Sequence, residues 1–154
     1  MTLNHQNLIF METLPLYTIK KNPSNVQGTK VKSSEDAYGI ALQLFEDDID
    51  VYESFWVILF NQGMESIGIA KIGQGGITAT SVDIRLIAKY AIESLATGCI
   101  LVHNHPSGRL VPSQEDIELT KKITQVLGLL DVKVRDHLIV TKNSYYSFLD
   151  DGLL

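Results

Sequence analysis

The sequence predicts an α/β protein in which helices pack against a mixed β-sheet to form a sandwich. The order of its patterns supports this fold class, because a helix, a hairpin, a second helix, a strand, a third helix and further strands follow one another. The length supports it too, since 154 residues are enough for one domain with a sizeable core. Apolar residues make up 45% of the chain and charged residues 20%, which is typical of a globular protein.

The first 32 residues are predicted to be an N-terminal extension, and residues 33–154 are predicted to form the domain. Within the extension, one edge strand is expected over the apolar residues Leu14, Leu16, Tyr17 and Ile19. Turns are expected next, at residues 22–25, where asparagine, proline and serine cluster. Two serines followed by two acids, at residues 33–36, then predict the start of the first helix.

Apolar spacing predicts the first helix and the hairpin that follows it. Apolar residues recur at helical intervals over residues 37–45, and the acidic run 46–50 is expected to end the helix in a solvated loop. Residues 53–60 are rich in aromatic and β-branched side chains, which favours a buried strand. A turn at residues 61–63 predicts that residues 66–72 return antiparallel to that strand.

The second half of the chain predicts two more helices and the rest of the sheet. Ser81 is predicted to cap the second helix, and Gly98 is predicted to be the left-handed residue beyond its end. The inner face of this helix is expected to carry apolar residues, namely Leu86, Ile87, Tyr90, Ala91 and Leu95. Residues 99–102 predict a short central strand, and Ser113 predicts the start of a third helix that ends near Leu127. Further sheet segments are expected at residues 132–134, 138–140 and 145–148.

Composition and charge indicate the cellular compartment and limit the classes of binding partner. A net charge of -5 disfavours non-specific binding to nucleic acid, which needs a basic surface to displace counterions. Cys99 opens an apolar run and is expected to be a small buried side chain rather than a reactive thiol. A single cysteine forms no internal disulfide, which favours a cytoplasmic protein. No membrane association is expected, because no apolar stretch has the length of a membrane span and no signal sequence is visible.

A metal-site pattern stands at the end of the predicted central strand. His103 and His105 are two residues apart, so both side chains point to the same side of a strand. Asp116 lies in the first turn of the third helix, on the inward face that continues through Leu119 and Ile123. Two imidazoles and one carboxylate are the donors of a zinc site that keeps one position for water, and such open sites are catalytic.

Each half of this pattern also has a simpler interpretation. The two histidines alone are consistent with hydrogen-bonded loop residues, and Ser113 with Asp116 is consistent with an ordinary helix cap. The whole set arises by chance less readily than either half. Asn104, between the histidines, is expected to face the other way and to pin the loop through side-chain hydrogen bonds.

A metal hydrolase also needs a general base close to the metal. Glu53 is the leading candidate because it opens the predicted strand 53–60, although the sequence alone does not place it beside His103. The adjacent residues Asp136 and His137 are a rival source of a ligand or a base, and they rank second.

The segment 103–116, with the pattern His-x-His-Pro, six residues, then Ser-x-x-Asp, resembles the JAMM motif of the JAB/MPN+ zinc metalloprotease superfamily. Together with the Asp136-His137 pair, it is similar to the RadC branch from about residue 33 to the end of the chain. The resemblance implies a cytidine-deaminase-like JAB/MPN fold, with a mixed, curved sheet flanked by three helices. The reaction in this superfamily is hydrolysis of peptide or isopeptide bonds.

The resemblance also implies roles for individual residues. It implies that His103, His105 and Asp116 hold Zn2+, with water as the fourth ligand. It implies that Glu53 is the acid/base for that water and for the leaving amine. Ser113 would then supply a hydroxyl that helps to hold the oxyanion.

We therefore expect a cytoplasmic zinc hydrolase that acts on a protein or a peptide. The alternative is an accessory protein of DNA repair or of mobile DNA, with nucleic acid as its partner and the metal site secondary. No helix-hairpin-helix segment is visible in front of the domain, and Arg135 replaces the usual apolar residue before the Asp-His pair. The first departure weakens the DNA alternative. A non-catalytic interaction scaffold is disfavoured because the ligand set is complete.

Overall fold

A computed structural model describes residues 15–18, 20–45, 48–75 and 81–154 of the chain. Within them, eight elements follow one another: α1 (Ser34–Phe45), β1 (Ser54–Phe60), β2 (Ser66–Gln74), α2 (Ile84–Glu93), β3 (Gly98–Asn104), α3 (Gln114–Gly128), β4 (Lys133–Val140) and β5 (Tyr145–Ser147). The predicted α/β class, with three helices and a mixed sheet, is confirmed. None of the helices in these described segments is long and apolar enough to cross a membrane.

The sheet has the order β2-β1-β3-β4-β5. Its central strand β3 is buried along its whole length, runs parallel to β4 and runs antiparallel to β1. The parallel pair places the carboxyl ends of β3 and β4 at one edge, and the start of β1 lies there too, since Phe55 pairs with His103. This edge carries the candidate site.

The core lies in two layers, one on each face of the sheet. Helix α1 covers one face and packs against Ile100 and Val102 of β3. Helices α2 and α3 cover the other face and pack against Cys99 and Leu101. Fully burying each such aliphatic side chain stabilises the fold by about 1.5–3 kcal/mol. Because side chains alternate along a strand, His103 continues the face that α3 covers.

The expectation of a buried Cys99 is confirmed. Its side chain is fully enclosed in the layer between the sheet and helices α2 and α3. Burial raises the pKa of the Cys99 thiol to about 12, so that the thiolate, which is the reactive form, is suppressed at neutral pH.

The N-cap of α2 differs from the prediction. Asp83, not Ser81, caps the helix, because its carboxylate accepts a hydrogen bond from the backbone N–H of Arg85 at 3.0 Å. The same carboxylate pairs with the Arg85 guanidinium at 2.6 Å. A carboxylate that binds both groups satisfies the helix start better than a serine two residues earlier.

The end of α2 also differs. Ile87 and Ala91 are buried and Tyr90 is partly buried, but Leu86 and Leu95 are exposed. Leu95 lies past the helix and is itself the left-handed residue, with a φ of 55°, so the prediction for Gly98 was wrong. Gly98 instead opens β3, where an added Cβ would lie 3.2 Å from the carbonyl oxygen of Lys133. A glycine there permits the close approach of β3 and β4.

One continuous strand, β4, replaces the two separate segments predicted at residues 132–134 and 138–140. The polar residues between them interrupt the apolar pattern in the sequence. Asp136 and His137 are nevertheless buried, on opposite faces of the sheet, and both have hydrogen-bond partners. The strand therefore continues through them at little cost.

The edge strand predicted in the N-terminal extension is not found at residues 15–18 or 20. Leu14 and Ile19, which belong to the same prediction, lie outside the described residues. The extension meets the sheet further on, where Lys30 forms an isolated bridge with Glu65.

Candidate metal centre

Three side chains with metal-binding atoms meet at the carboxyl end of β3. His103 is the penultimate residue of that strand, and His105 follows its last residue. Asp116 lies in the first turn of α3, which begins after the loop at the same edge of the sheet. The sequence therefore predicted correctly that these three side chains converge.

The distances between their ligand atoms fit one metal ion. Nε2 of His103 lies 3.0 Å from Nε2 of His105. Oδ1 of Asp116 is 3.3 Å from His103 Nε2, and Oδ2 is 3.6 Å from His105 Nε2. Bonds of about 2.0–2.1 Å place two ligand atoms of a tetrahedral zinc ion roughly 3.3 Å apart. No second group of this kind is found in the described segments of the chain.

The three ligand side chains differ in their access to solvent. The His103 side chain is 1% exposed, whereas those of His105 and Asp116 are 16% and 15% exposed. The centre therefore has a closed inner wall and an outer side that solvent can reach.

His105 turns a lone pair toward the centre. Nδ1 of His105 lies 2.7 Å from the carbonyl oxygen of Arg109. Because a carbonyl oxygen only accepts, Nδ1 is the donor, and in the neutral ring Nε2 is therefore unprotonated. Hydrogen bonding to the Asp116 carboxylate raises the pKa of His105, although burial acts in the opposite direction. The position thus favours positive charge, which a bound metal cation would also supply.

The carboxylate of Asp116 serves both as a helix cap and as a candidate ligand. Oδ2 accepts hydrogen bonds from the backbone N–H and the hydroxyl of Ser113, both at 2.7 Å, while Oδ1 faces His103. Burial works against ionisation, but hydrogen bonds from the protonated forms of His103 and His105, the charge of His103 and the hydrogen bond from Ser113 hold the pKa of Asp116 well below its usual range. The two interpretations that the sequence left open are therefore compatible.

Glu53 directly precedes β1 at the same edge of the sheet. The antiparallel register sets Phe55 opposite His103, so continuing it by two residues sets Glu53 level with His105. The backbone carbonyl of Glu53 accepts a hydrogen bond from Gly75 N–H at 2.9 Å, and its negative charge adds to the raised pKa of His105. The structure thus brings Glu53 close to the candidate ligands, and its role as a base stays a prediction.

Ser113 is the exposed N-cap of α3. Its Oγ accepts a hydrogen bond from the Asp116 backbone N–H at 3.1 Å and donates its proton to Oδ2 of the same residue. Ser113 therefore orients the Asp116 carboxylate. The predicted contact with an oxyanion requires the hydroxyl to turn away from Asp116, and it also stays a prediction.

Comparison with known proteins assigns the chain to a family. A family model described as RadC-like JAB domain matches residues 31–153. The chain belongs to this family. Its resemblance to the RadC branch of the JAB/MPN superfamily is thereby confirmed.

Curated relatives of this RadC-like domain include several UPF0758 proteins. One from Flavobacterium johnsoniae is 48% identical over 124 residues, which are 80% of this chain and 53% of the relative. One from Porphyromonas gingivalis is 44% identical over 103 residues, 66% of this chain and 45% of the relative. The protein YfjY of Escherichia coli is 41% identical over 102 residues, 66% of this chain and 64% of that protein. The chain thus matches about half the length of the first two relatives.

In this RadC-like domain the rival pair of residues is divided between the two faces of the sheet. The Asp136 carboxylate is buried away from the metal centre and accepts hydrogen bonds from the Ser147 hydroxyl at 2.7 Å and from the Leu149 backbone N–H at 3.0 Å. Burial raises the pKa of Asp136, although these hydrogen bonds act in the opposite direction. Asp136 thus anchors the end of β5 and is no part of the His-His-Asp group.

His137 lies on the face of the metal centre but behind it. It is fully buried, and its Nε2 is 2.8 Å from Nδ1 of His103, on the side of that ring away from Asp116. Burial lowers the pKa of His137 well below its usual value, which keeps the ring neutral. His137 therefore contacts a candidate ligand and is itself outside the ligand group.

One polar residue behind the centre, Thr120 of α3, was not predicted from the sequence. Its Oγ1 lies 2.6 Å from Nδ1 of His137 and 2.6 Å from the backbone carbonyl oxygen of Asp116. A signal was present, because Thr120 is a polar residue one turn after Asp116 on the face that is apolar at Ile123 and Leu127.

Two phenylalanines, which the sequence predicted only as parts of sheet segments, pack against the buried imidazoles. Phe55 stacks on His103, with ring centroids 5.9 Å apart and planes inclined by 9°. Phe148 stacks on His137, with centroids 4.6 Å apart and planes inclined by 22°. Their contribution depends on strand pairing and on the chain end, which residue spacing does not reveal.

Proposed function

We propose that this RadC-like domain is a zinc-dependent metallohydrolase that cleaves peptide or isopeptide bonds. The observation that carries the proposal is the convergence of two imidazole nitrogens and one ionised carboxylate within 4.8 Å of one another. Three protein ligands with a solvent-accessible side are typical of catalytic zinc sites, whereas structural sites use four. The resemblance to the JAMM motif and membership of the RadC-like JAB family support the same activity.

The donors fit zinc chemically. Zinc binds imidazole nitrogen and carboxylate oxygen, and the centre offers both. When bound, zinc acts as a Lewis acid that polarises a carbonyl oxygen and lowers the pKa of a coordinated water to about 7. His103, His105 and Asp116 would hold it, and the capping bonds from Ser113 keep the Asp116 carboxylate in place.

Glu53 and Ser113 are the proposed chemical partners of the centre. Glu53 would accept the proton of the attacking water and pass it to the leaving amine, a role that suits a carboxylate beside the ligands. Ser113 would donate its hydroxyl proton to the oxyanion after releasing Asp116 Oδ2. Glu53 is half-buried and Ser113 is exposed, so solvent has access to both side chains.

A protein or peptide is the proposed substrate. The net charge of -5 argues against a phosphate-rich partner, because neutralising phosphates requires basic side chains. A function in DNA binding is therefore less well supported, and the experiments below distinguish it from hydrolysis.

Metal content tests the centre directly. Purified chain is expected to hold about one zinc ion, measured by atomic emission after exhaustive dialysis. Asp116→Asn is expected to lose most of that zinc, while Glu115→Gln, a neighbouring acid in the same turn of α3, keeps it. Equal zinc in both variants would refute the ligand assignment.

A degenerate peptide library, read by mass spectrometry, tests the reaction. Cleavage by the zinc-loaded chain and none by Asp116→Asn is expected. A DNA-binding titration at two salt concentrations accompanies it. Tight, salt-dependent DNA binding without any cleavage of peptides or isopeptide-linked peptides would favour the alternative.

A further inference from the structure

Four groups are linked in a buried row behind the candidate metal centre. Nδ1 of His103 contacts Nε2 of His137 at 2.8 Å, and Nδ1 of His137 contacts Oγ1 of Thr120 at 2.6 Å. Oγ1 of Thr120 in turn contacts the backbone carbonyl oxygen of Asp116 at 2.6 Å. The row therefore starts at one candidate ligand and ends at the backbone of another.

One end of the row fixes the direction of every hydrogen bond in it. The Asp116 carbonyl only accepts, so the single hydroxyl proton of Thr120 is donated to it. Thr120 Oγ1 must then accept from His137, which carries its proton on Nδ1. The Nε2 of neutral His137 must accept, so His103 carries its proton on Nδ1. The Nε2 of His103 is left with a lone pair toward His105 and Asp116.

The packing holds this row in place. His103, His137 and Thr120 are each at most 2% exposed, so water has no access to compete for their hydrogen bonds. The phenyl rings of Phe55 and Phe148 stack on the two imidazoles and oppose rotation of either ring. A rotated imidazole would break contacts on both of its edges.

We infer that His137 and Thr120 are positioning residues that hold His103 in the Nδ1–H tautomer and aim its Nε2 lone pair at the metal. The role in metal binding rests on the proposed function. The directions of the hydrogen bonds do not, because they follow from the geometry of the chain without a metal. With the lone pair of His105, the centre then presents two acceptor nitrogens 3.0 Å apart beside a carboxylate. Such a set repels itself until a cation joins it.

Imidazole tautomers in the metal-free chain test the row without any reference to activity. Long-range 1H–15N correlation spectra are expected to show Nδ1–H tautomers for both His103 and His137. A proton on Nε2 of either ring in the neutral form would overturn the inference. Because no metal takes part, this result stands even if the proposed function fails.

Zinc affinity, measured by competition with a chelating dye, tests the consequence. Thr120→Val removes the hydroxyl and keeps the shape, and it is expected to weaken zinc binding about 10–100-fold, as loss of an outer partner of a ligand does. Thr120→Ser restores the hydroxyl and is expected to restore affinity. Thr124→Val is the matched control. The Thr124 hydroxyl donates to the backbone carbonyl oxygen of Thr120, one turn earlier in α3, which is the same kind of bond that Thr120 makes to Asp116.

The outcomes separate the two proposals. If wild type binds zinc and Thr120→Val, folded by circular dichroism, binds it equally well, the positioning role is wrong and the metal centre stands. If wild type binds no zinc, the proposed function is wrong, and the tautomer spectra alone decide the row. Equal loss of affinity in Thr120→Val and Thr120→Ser would also contradict the inference, because it would indicate a packing effect.

Discussion

At the scale of single residues, side-chain alternation along β3 places the candidate metal site on one face of the sheet and a loop anchor on the other. His103 faces α3 and the metal centre, while Asn104 faces the other side of the sheet. Asn104 donates to the carbonyl oxygens of Ile49 and Tyr52 and accepts from Ser54 N–H. Asn104 therefore faces away from the centre and pins a loop, as expected, but the pinned loop is the one that carries Glu53 and not the one that follows the histidines.

Replacing the proposed base tests its role separately from metal binding. Glu53→Gln is expected to keep its zinc and to lower kcat about 100–10,000-fold, because the amide cannot take up a proton. Zinc content and the rate on a peptide that the wild type cleaves are measured together. Glu93→Gln, an exposed glutamate at the end of α2, is the control. An unchanged rate in Glu53→Gln would remove Glu53 from the mechanism.

At the scale of elements, the sequence predicted most of what apolar spacing controls. Helices α1 and α3 begin within one residue of their predicted starts, because a serine with following acids marks each N-terminus. The predictions failed where a tertiary contact overrides the pattern. In β4, buried hydrogen bonds of Asp136 and His137 sustain a strand that their polarity argued against.

The candidate site was also predictable from the sequence only in part. The convergence of His103, His105 and Asp116 was predictable, because His-x-His on a strand and Asp in a helix start have fixed directions. The position of Glu53 relative to the two histidines was not predictable, because it depends on the pairing of β1 with β3, which are far apart in the sequence. Thr120 was missed because its partner, His137, lies on a strand that follows the helix.

The anchor between β3 and the loop before β1 gives a prediction about stability. Asn104→Ala leaves one buried donor at Ser54 and two carbonyl oxygens without partners. Each such loss costs about 1–3 kcal/mol, so a fall on the order of 3 kcal/mol in the free energy of unfolding is expected. Urea denaturation measures it. Asn143→Ala, in an exposed turn, is expected to stay within about 0.5 kcal/mol of wild type, and equal effects of both would contradict the anchoring role.

At the scale of the whole molecule, the site occupies the edge where parallel strands end and a helix begins. Ligands of open α/β sheets bind outside the carboxyl ends of the strands, and the centre follows that rule. The N-terminus of α3 adds partial positive charge, which favours the ionised carboxylate of Asp116. The fold thus places the carboxylate of the candidate group where helix and sheet meet.

A metal that joins β3 to α3 is expected to stabilise the entire fold, because the unfolded chain does not hold the three ligands together. Free zinc at about 100 times its Kd would add about 2.7 kcal/mol, which for a chain of this size is roughly 5–11 °C in Tm. Thermal unfolding is followed by circular dichroism, first with a chelator and then with added zinc. Asp116→Asn is expected to show no such rise, whereas Glu115→Gln is expected to follow wild type. A Tm of the wild-type chain that does not change with zinc would show that no metal binds selectively to the folded state.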